Sequence, residues 1–283
     1  MFSLKLENES GNVVDINDGV NYVIVSVSGL NPPSASIFTT KSPNRKGSKY
    51  NGSTLNERNI VIQIKILGDI EVNRNALYDW TYTEQYVKVR YKNSLRDVYC
   101  EGHIEDHEND FFTESEIVSL SIICENPYWK DLQEISTEIT AILSQFTFAF
   151  AISSAGIPFS TLKSTNTTNV FNAGAETGIR VTIKCKGTVE NITLFDAANP
   201  SRRMTINATI EAGWMVEIDT TASPKTVRAY KPDGTVANLM RYLAPSPVWL
   251  TLKKGNNAFS FLAASGQENM EVSVSFTNSY LGV

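Results

Sequence analysis

Apolar side chains recur at every second position along much of this chain, the period of a strand with one buried face. Over residues 59–67, Ile60, Ile62, Ile64 and Ile66 point one way while Asn59, Val61, Gln63 and Lys65 point the other. Four isoleucines on one face define a core, or a core shared with a partner, so all four are candidate subunit-interface residues. Runs at residues 2–6, 22–27, 85–91, 95–104 and 111–124 predict further strands, joined by turn signals such as Ser10-Gly11-Asn12 and Lys92-Asn93-Ser94. Helical spacing appears at Val72, Ala76, Leu77 and Trp80, which predicts a short helix with Asn73 as its N-cap.

The alternation ends at Glu125-Asn126-Pro127. Proline has no amide hydrogen for a ladder and pushes the residue before it out of helical space. Two aromatics, Tyr128 and Trp129, follow at once. Asn126, Pro127, Tyr128 and Trp129 are read as a hinge between a first domain, 1–132, and a second, 133–283; an ordinary strand end inside one domain is the alternative. The first domain reads as α+β, with an antiparallel sheet and one short helix. The second is almost free of helical spacing. Phe146, Phe148 and Phe150 alternate, as do Ile179, Val181, Ile183 and Cys185, and then Val272, Val274 and Phe276. Short strands separated by Gly, Asn, Asp and Pro predict an antiparallel β-sandwich, so the chain as a whole is mainly β.

Residues 31–57 interrupt the first domain with Pro, Gly, Ser and Asn and with the cations Lys41, Arg45, Lys46 and Lys49. A connection this long is usually functional or mobile. It reads either as a solvated loop or as an arm that orders against a neighbouring subunit, with Arg45 and Lys46 as candidate contacts.

The formal net charge of −5 over 283 residues argues against a free-standing nucleic-acid binder, which needs a clustered basic surface. Three cysteines without a C-x-x-C pair make a disulfide framework or zinc site improbable and suit folding in a reducing cytoplasm. His103 and His107 would share a helical face as metal ligands, but their surroundings read as strand, and His-Ile-Glu-Asp-His lacks the glutamate that follows the first histidine in zinc proteases. No cofactor or metal is expected. No nucleophile elbow, phosphate-binding glycine loop or separated acid–base pair occurs, so an enzyme reading has no positive support. Trp214 and Trp249 are the aromatics to suspect for ligand stacking, against the plainer reading as core or rim residues. The N-terminal stretch has no apolar core segment, so no signal peptide is expected. The apolar run 146–159 is too short and interrupted to span a bilayer, so no membrane insertion is expected either.

An ordered set of short motifs adds to this reading. It comprises Ser28-Gly29-Leu30, the strand at 59–67, Asn75-Ala76-Leu77-Tyr78, Cys124-Glu125-Asn126-Pro127-Tyr128-Trp129, Ile218-Asp219-Thr220, the 250–257 turn and the ending Tyr280-Leu281-Gly282-Val283. In this order the chain resembles the distal tail protein family of long-tailed phages over nearly its full length. Arg58 stands next to the position where many relatives carry an arginine. The resemblance implies a structural hub at the virion tail tip, made in the cytoplasm of the host bacterium. Its first domain would form a hexameric ring joining the tail tube protein to the tail-tip protein, which often carries a wall-degrading lysin activity. Its galectin-like second domain would project outward and, in some phages, anchor receptor-binding proteins. DNA would pass through the ring without sequence-specific contact, which an acidic chain suits. Two rivals remain. One is a carbohydrate-binding module with a sugar site around Trp249, although the second domain lacks the histidine that galectins use. The other is a wall hydrolase, for which no acid, base or metal set is visible.

Overall fold

The computed structural model describes residues 2–43, 46–111, 116–139, 141–144, 160–163, 167–221 and 223–283, with backbone alone for 141–144 and 160–163. Arg45 and the expected strand at Phe146–Phe150 lie outside the described residues. The chain divides into two compact units, one formed by Met1–Leu132 with Ser279–Val283 and the other by Gln133–Asn278.

The first unit contains β1 (Ser3–Glu7), β2 (Val13–Asp15), β3 (Tyr22–Ser28), β4 (Ala35–Thr40), β5 (Lys49–Leu55), β6 (Arg58–Ile66), α1 (Ile70–Thr81), β7 (Tyr86–Lys92), β8 (Asp97–Asn109), β9 (Ile117–Cys124) and β10 (Trp129–Asp131). Its main sheet runs β2-β1-β7-β8-β9-β6-β3, with every pair antiparallel. Alternation places Ile60, Ile62, Ile64 and Ile66 of β6 inside, opposite Ile122, Leu120 and Val118 of β9. Leu4 and Leu6 of β1 share one core with these isoleucines, although three strands separate β1 from β6 in the sheet. One sheet can bring strands this far apart to one core only by curling on itself, which the right-handed strand twist favours.

The helix differs from expectation. It starts one turn earlier, at Ile70, because Asp69 caps it by accepting from the Val72 amide. Asn73 lies inside the helix and donates to the Leu67 carbonyl. The buried positions are Leu77 and Thr81, while Val72 is exposed.

The second unit contains β11 (Ile135–Glu138), β12 (Ala141–Ser144), β13 (Ser160–Lys163), β14 (Thr167–Asn172), β15 (Thr177–Gly178), β16 (Arg180–Cys185), β17 (Val189–Asp196), β18 (Asn199–Ile210), β19 (Met215–Asp219), β20 (Thr226–Tyr230), β21 (Val236–Asn238), β22 (Thr251–Leu252), β23 (Gly255–Leu262) and β24 (Met270–Phe276). Two antiparallel sheets, β11-β24-β16-β19-β20-β21 and β14-β23-β17-β18, face a common core. Val181 and Ile183 come to that core from the first sheet, and Leu194, Phe259 and Phe261 from the second. This is the mainly β architecture with an antiparallel sandwich that the alternation predicts.

The last strand, β25 (Ser279–Tyr280), belongs to the first unit, not to the second domain that was expected to run to 283. It pairs with β10, Trp129 opposite Tyr280. The Tyr280 ring lies 4.1 Å from the Arg96 guanidinium, and its hydroxyl donates to Asp131 at 3.1 Å. The chain therefore leaves the first unit after Leu132 and re-enters it at Ser279.

Candidate functional site

The segment expected as a long connection is a two-stranded ribbon. β4 and β5 pair from Ala35 opposite Leu55 to Thr40 opposite Lys49 and form a sheet of their own. They take the place of the turn between β3 and β6, which pair with each other from Tyr22 opposite Ile66 to Ser28 opposite Val61. Asn56 locks the base of this arm. Its amide donates to the Ser34 carbonyl at 3.0 Å, its side-chain nitrogen to the Ser34 hydroxyl at 3.0 Å, and its side-chain oxygen accepts from Ser36 at 2.8 Å. A bulge beside Phe38 sets Gly52, at φ 146°, opposite it, a backbone angle that favours glycine.

Register then decides what the arm presents. Ala35, Ile37 and Thr39 share a face with Leu55, Ser53 and Tyr50. Ile37 is 65% exposed, Tyr50 61% and Leu55 39%, so this apolar stripe is uncovered. Phe38, 53% exposed, stands on the other face. An isolated two-stranded ribbon is marginal in water. Lys41, Lys46 and Lys49 are exposed at its far end.

The root of the arm is built on Arg58, which is buried. All five of its N–H groups donate to backbone carbonyls. Nε and one terminal nitrogen reach Pro127 at 2.9 and 2.7 Å, and that nitrogen also reaches Leu281 at 2.6 Å. The other nitrogen reaches Gly29 and, at 2.7 Å, Asn31. The guanidinium also lies 5.4 Å from the ring centre of Trp129. Burial pulls the Arg58 pKa below its ordinary value, but five N–H donors meeting four carbonyls, with Pro127 accepting twice, leave no donor unused. One side chain thus ties together both sides of the arm's entrance, the turn after β9 and the C-terminal segment. Gly29 is obligatory here: a Cβ would sit 2.1 Å from the Asn59 carbonyl oxygen, and its φ is +83°.

The other expected site residues are placed as follows. Ile60, Ile62, Ile64 and Ile66 lie in the first unit's own core, and Lys46 is exposed on the arm. Asn126 caps its turn by accepting from the Tyr128 amide at 3.2 Å, and Pro127 supplies the carbonyl to Arg58. Tyr128 is half-buried, while Trp129 is fully buried within 6.1 Å of Tyr91. These four residues precede the unit boundary and belong to the first unit. His103 contacts Glu125 at 2.8 Å; His107 contacts Thr81 at 2.8 Å and Asn109 at 3.0 Å. Among the described residues, no group of three or more potential metal ligands gathers. Trp214 and Trp249 both pack partly against the second unit's core. Arg58 was not singled out as a site, although it shares the parity of the isoleucines on β6 and so had to point inward.

Comparison with known proteins finds two family models along the chain. The family model described as a phage tail protein RIFT-related domain matches residues 10–111. The model described as the C-terminal domain of a siphovirus-type tail component matches residues 172–280. No curated protein matches the chain. Among solved structures, the SPP1 Dit (gp 19.1) protein, described as a paradigm of the hub adsorption apparatus in phages infecting Gram-positive hosts, is similar at a TM-score of 0.68 and 14% identity. That likeness covers 99% of each chain. A chain of the phage P2 baseplate in its activated, calcium-bound conformation gives a TM-score of 0.52 at 13% identity over 100% of each chain. The identities are low enough that these structures speak to fold alone, and the two domain models, matched in order, speak to kinship. The chain belongs to the siphophage distal tail protein family.

Proposed function

We propose that this protein is a structural hub of a phage tail tip, in which the first unit closes into a ring of six copies. The observation that carries this reading is the arm. It exposes Ile37, Tyr50 and Leu55 along one face, in a ribbon none of whose residues joins the buried core of the unit behind it. Fully burying each such side chain is worth about 1.5–3 kcal/mol, so a neighbouring copy is the natural cover. Arg58 then holds the arm at a fixed angle by fastening both sides of its entrance, which a repeating contact around a ring requires. In this reading the ring joins the tail tube to the tail-tip protein, the second unit holds host-recognition components, and the protein has no catalytic role. The hub role itself is supported by the kinship with distal tail proteins and by the fold shared with the SPP1 protein.

Negative-stain images and solution mass test it together. Rings with a central hole, at six times the chain mass, are expected for the full chain at high concentration or with its tail partners. A monomer under both conditions would overturn the reading.

A further inference from the structure

The second unit carries a cleft of about 720 Å³. Its walls come from two edge strands. Ala208 and Thr209 belong to β18, and Ala237 and Asn238 to β21, each the outermost strand of its sheet. Trp214 and the 3-10 turn Met240–Tyr242 complete the lining. Ala208 and Ala237 are small, and Trp214 and Tyr242 supply aromatic surface.

The charge of this cleft is opposite to that of the chain. Lys231 Nζ stands 4.6 Å from the Trp214 ring centre. The Arg241 guanidinium stands 4.8 Å from the Tyr242 ring and donates to its hydroxyl at 2.9 Å. Among the described residues no carboxylate lines the cleft, in a protein of net charge −5. The nearby Asp233 is exposed and accepts from the Thr235 amide at 2.8 Å. Two cations beside two aromatic rings, with Asn238 in the same lining, form a surface for a ring-shaped ligand that carries an acid group.

We propose that this cleft binds an acidic sugar. Its ring packs against Trp214 and Tyr242, and its carboxylate or phosphate is held by Lys231 and Arg241. A charge-assisted hydrogen bond outweighs an exposed cation–π contact, so the arriving acid draws Lys231 off Trp214 and frees that ring face. The proposal does not depend on ring assembly, since every group involved lies on the second unit of a single chain.

Calorimetric titration of the full chain tests it with four probes: hyaluronan tetrasaccharide, glucose 6-phosphate, the neutral chitotetraose, and tetraglutamate. At least one acidic sugar should bind about tenfold tighter than chitotetraose and weaken with added salt. Whichever acidic sugar binds tighter identifies the acid group. Arg241→Gln and Lys231→Gln should each lower that affinity by about threefold to tenfold, and Arg241→Gln, on an exposed side chain, should leave the melting temperature unchanged. Trp214→Ala should abolish binding, with the two cation variants as the safeguard should it unfold. Three results would overturn the proposal: no binding of either acidic sugar, affinity unchanged in both cation variants, or tightest binding of tetraglutamate, which would mark a peptide groove between the strand edges.

Discussion

Strand β6 and the β4–β5 arm each carry an apolar stripe, and the two meet different surroundings. Ile60, Ile62, Ile64 and Ile66 are at most 2% exposed, sealed by the other strands of their own sheet, whereas Ile37, Tyr50 and Leu55 stand in the open. The stronger stripe looks like the better interface when only the sequence is read. Its strength is what commits it to the chain's own core, because a stripe that apolar cannot wait in water for a partner. A surface kept for assembly has to be tolerable before assembly. The arm meets that condition by spacing its apolar residues among Ser, Thr and Lys and by staying narrow.

Substitutions should separate the two regions by size of effect. Arg58→Ala should be the most damaging, at about 4 kcal/mol or more, because it strands several buried carbonyls at once. Arg58→Lys should not restore the loss, since an ammonium offers three donors where five are used. Ile62→Ala should cost about 3 kcal/mol by empty-cavity and transfer losses. Both effects should appear in urea unfolding of the first unit whether or not rings form. Removing residues 279–283 should cost about 2 kcal/mol, through the Leu281 carbonyl, the β10–β25 pairing and the Tyr280–Arg96 stack. A fragment ending at residue 132 should therefore be less stable than the same unit in the full chain, and adding back the C-terminal peptide should recover part of the loss. Ile37→Ser should change monomer stability by under about 0.5 kcal/mol yet remove ring formation. If Ile37→Ser melted the monomer as Ile62→Ala does, the contrast between the two stripes would be wrong. Hydrogen exchange sharpens the same point, with the amides of 35–55 open in the monomer and protected in the assembled ring.

The sequence carried much of this layout where one force dominates. Alternating β-branched residues at 60–66 and 118–122 predict strands, and strands form there in the expected parity. The end of the strand at Cys124 and the Pro127 turn follow from proline chemistry. What was not legible is also specific. The arm's strands read as loop because Ser, Thr, Asn and Gly interrupt the apolar residues and no core imposes alternation. The role of Arg58 was not legible because its acceptors are carbonyls from residues 29, 31, 127 and 281, brought together only by the fold. The return of Ser279–Val283 to the first unit depends on a β10–β25 pairing between residues far apart in sequence. Asp69 outcompetes Asn73 as the helix cap because it lies beside the Val72 amide, while Asn73 already serves Leu67. The cleft around Trp214 needs residues from four separate segments, so neither tryptophan could be preferred in advance.

The most direct test of the central claim is photo-crosslinking from position 37. A benzophenone amino acid placed there in the full chain, and activated in assembled rings or tails, should yield dimers of this chain as the main product, with the attachment on the first unit of the second copy. Crosslinks confined to the same chain, or formed mainly to a different tail protein, would show that the arm does not join one copy to the next.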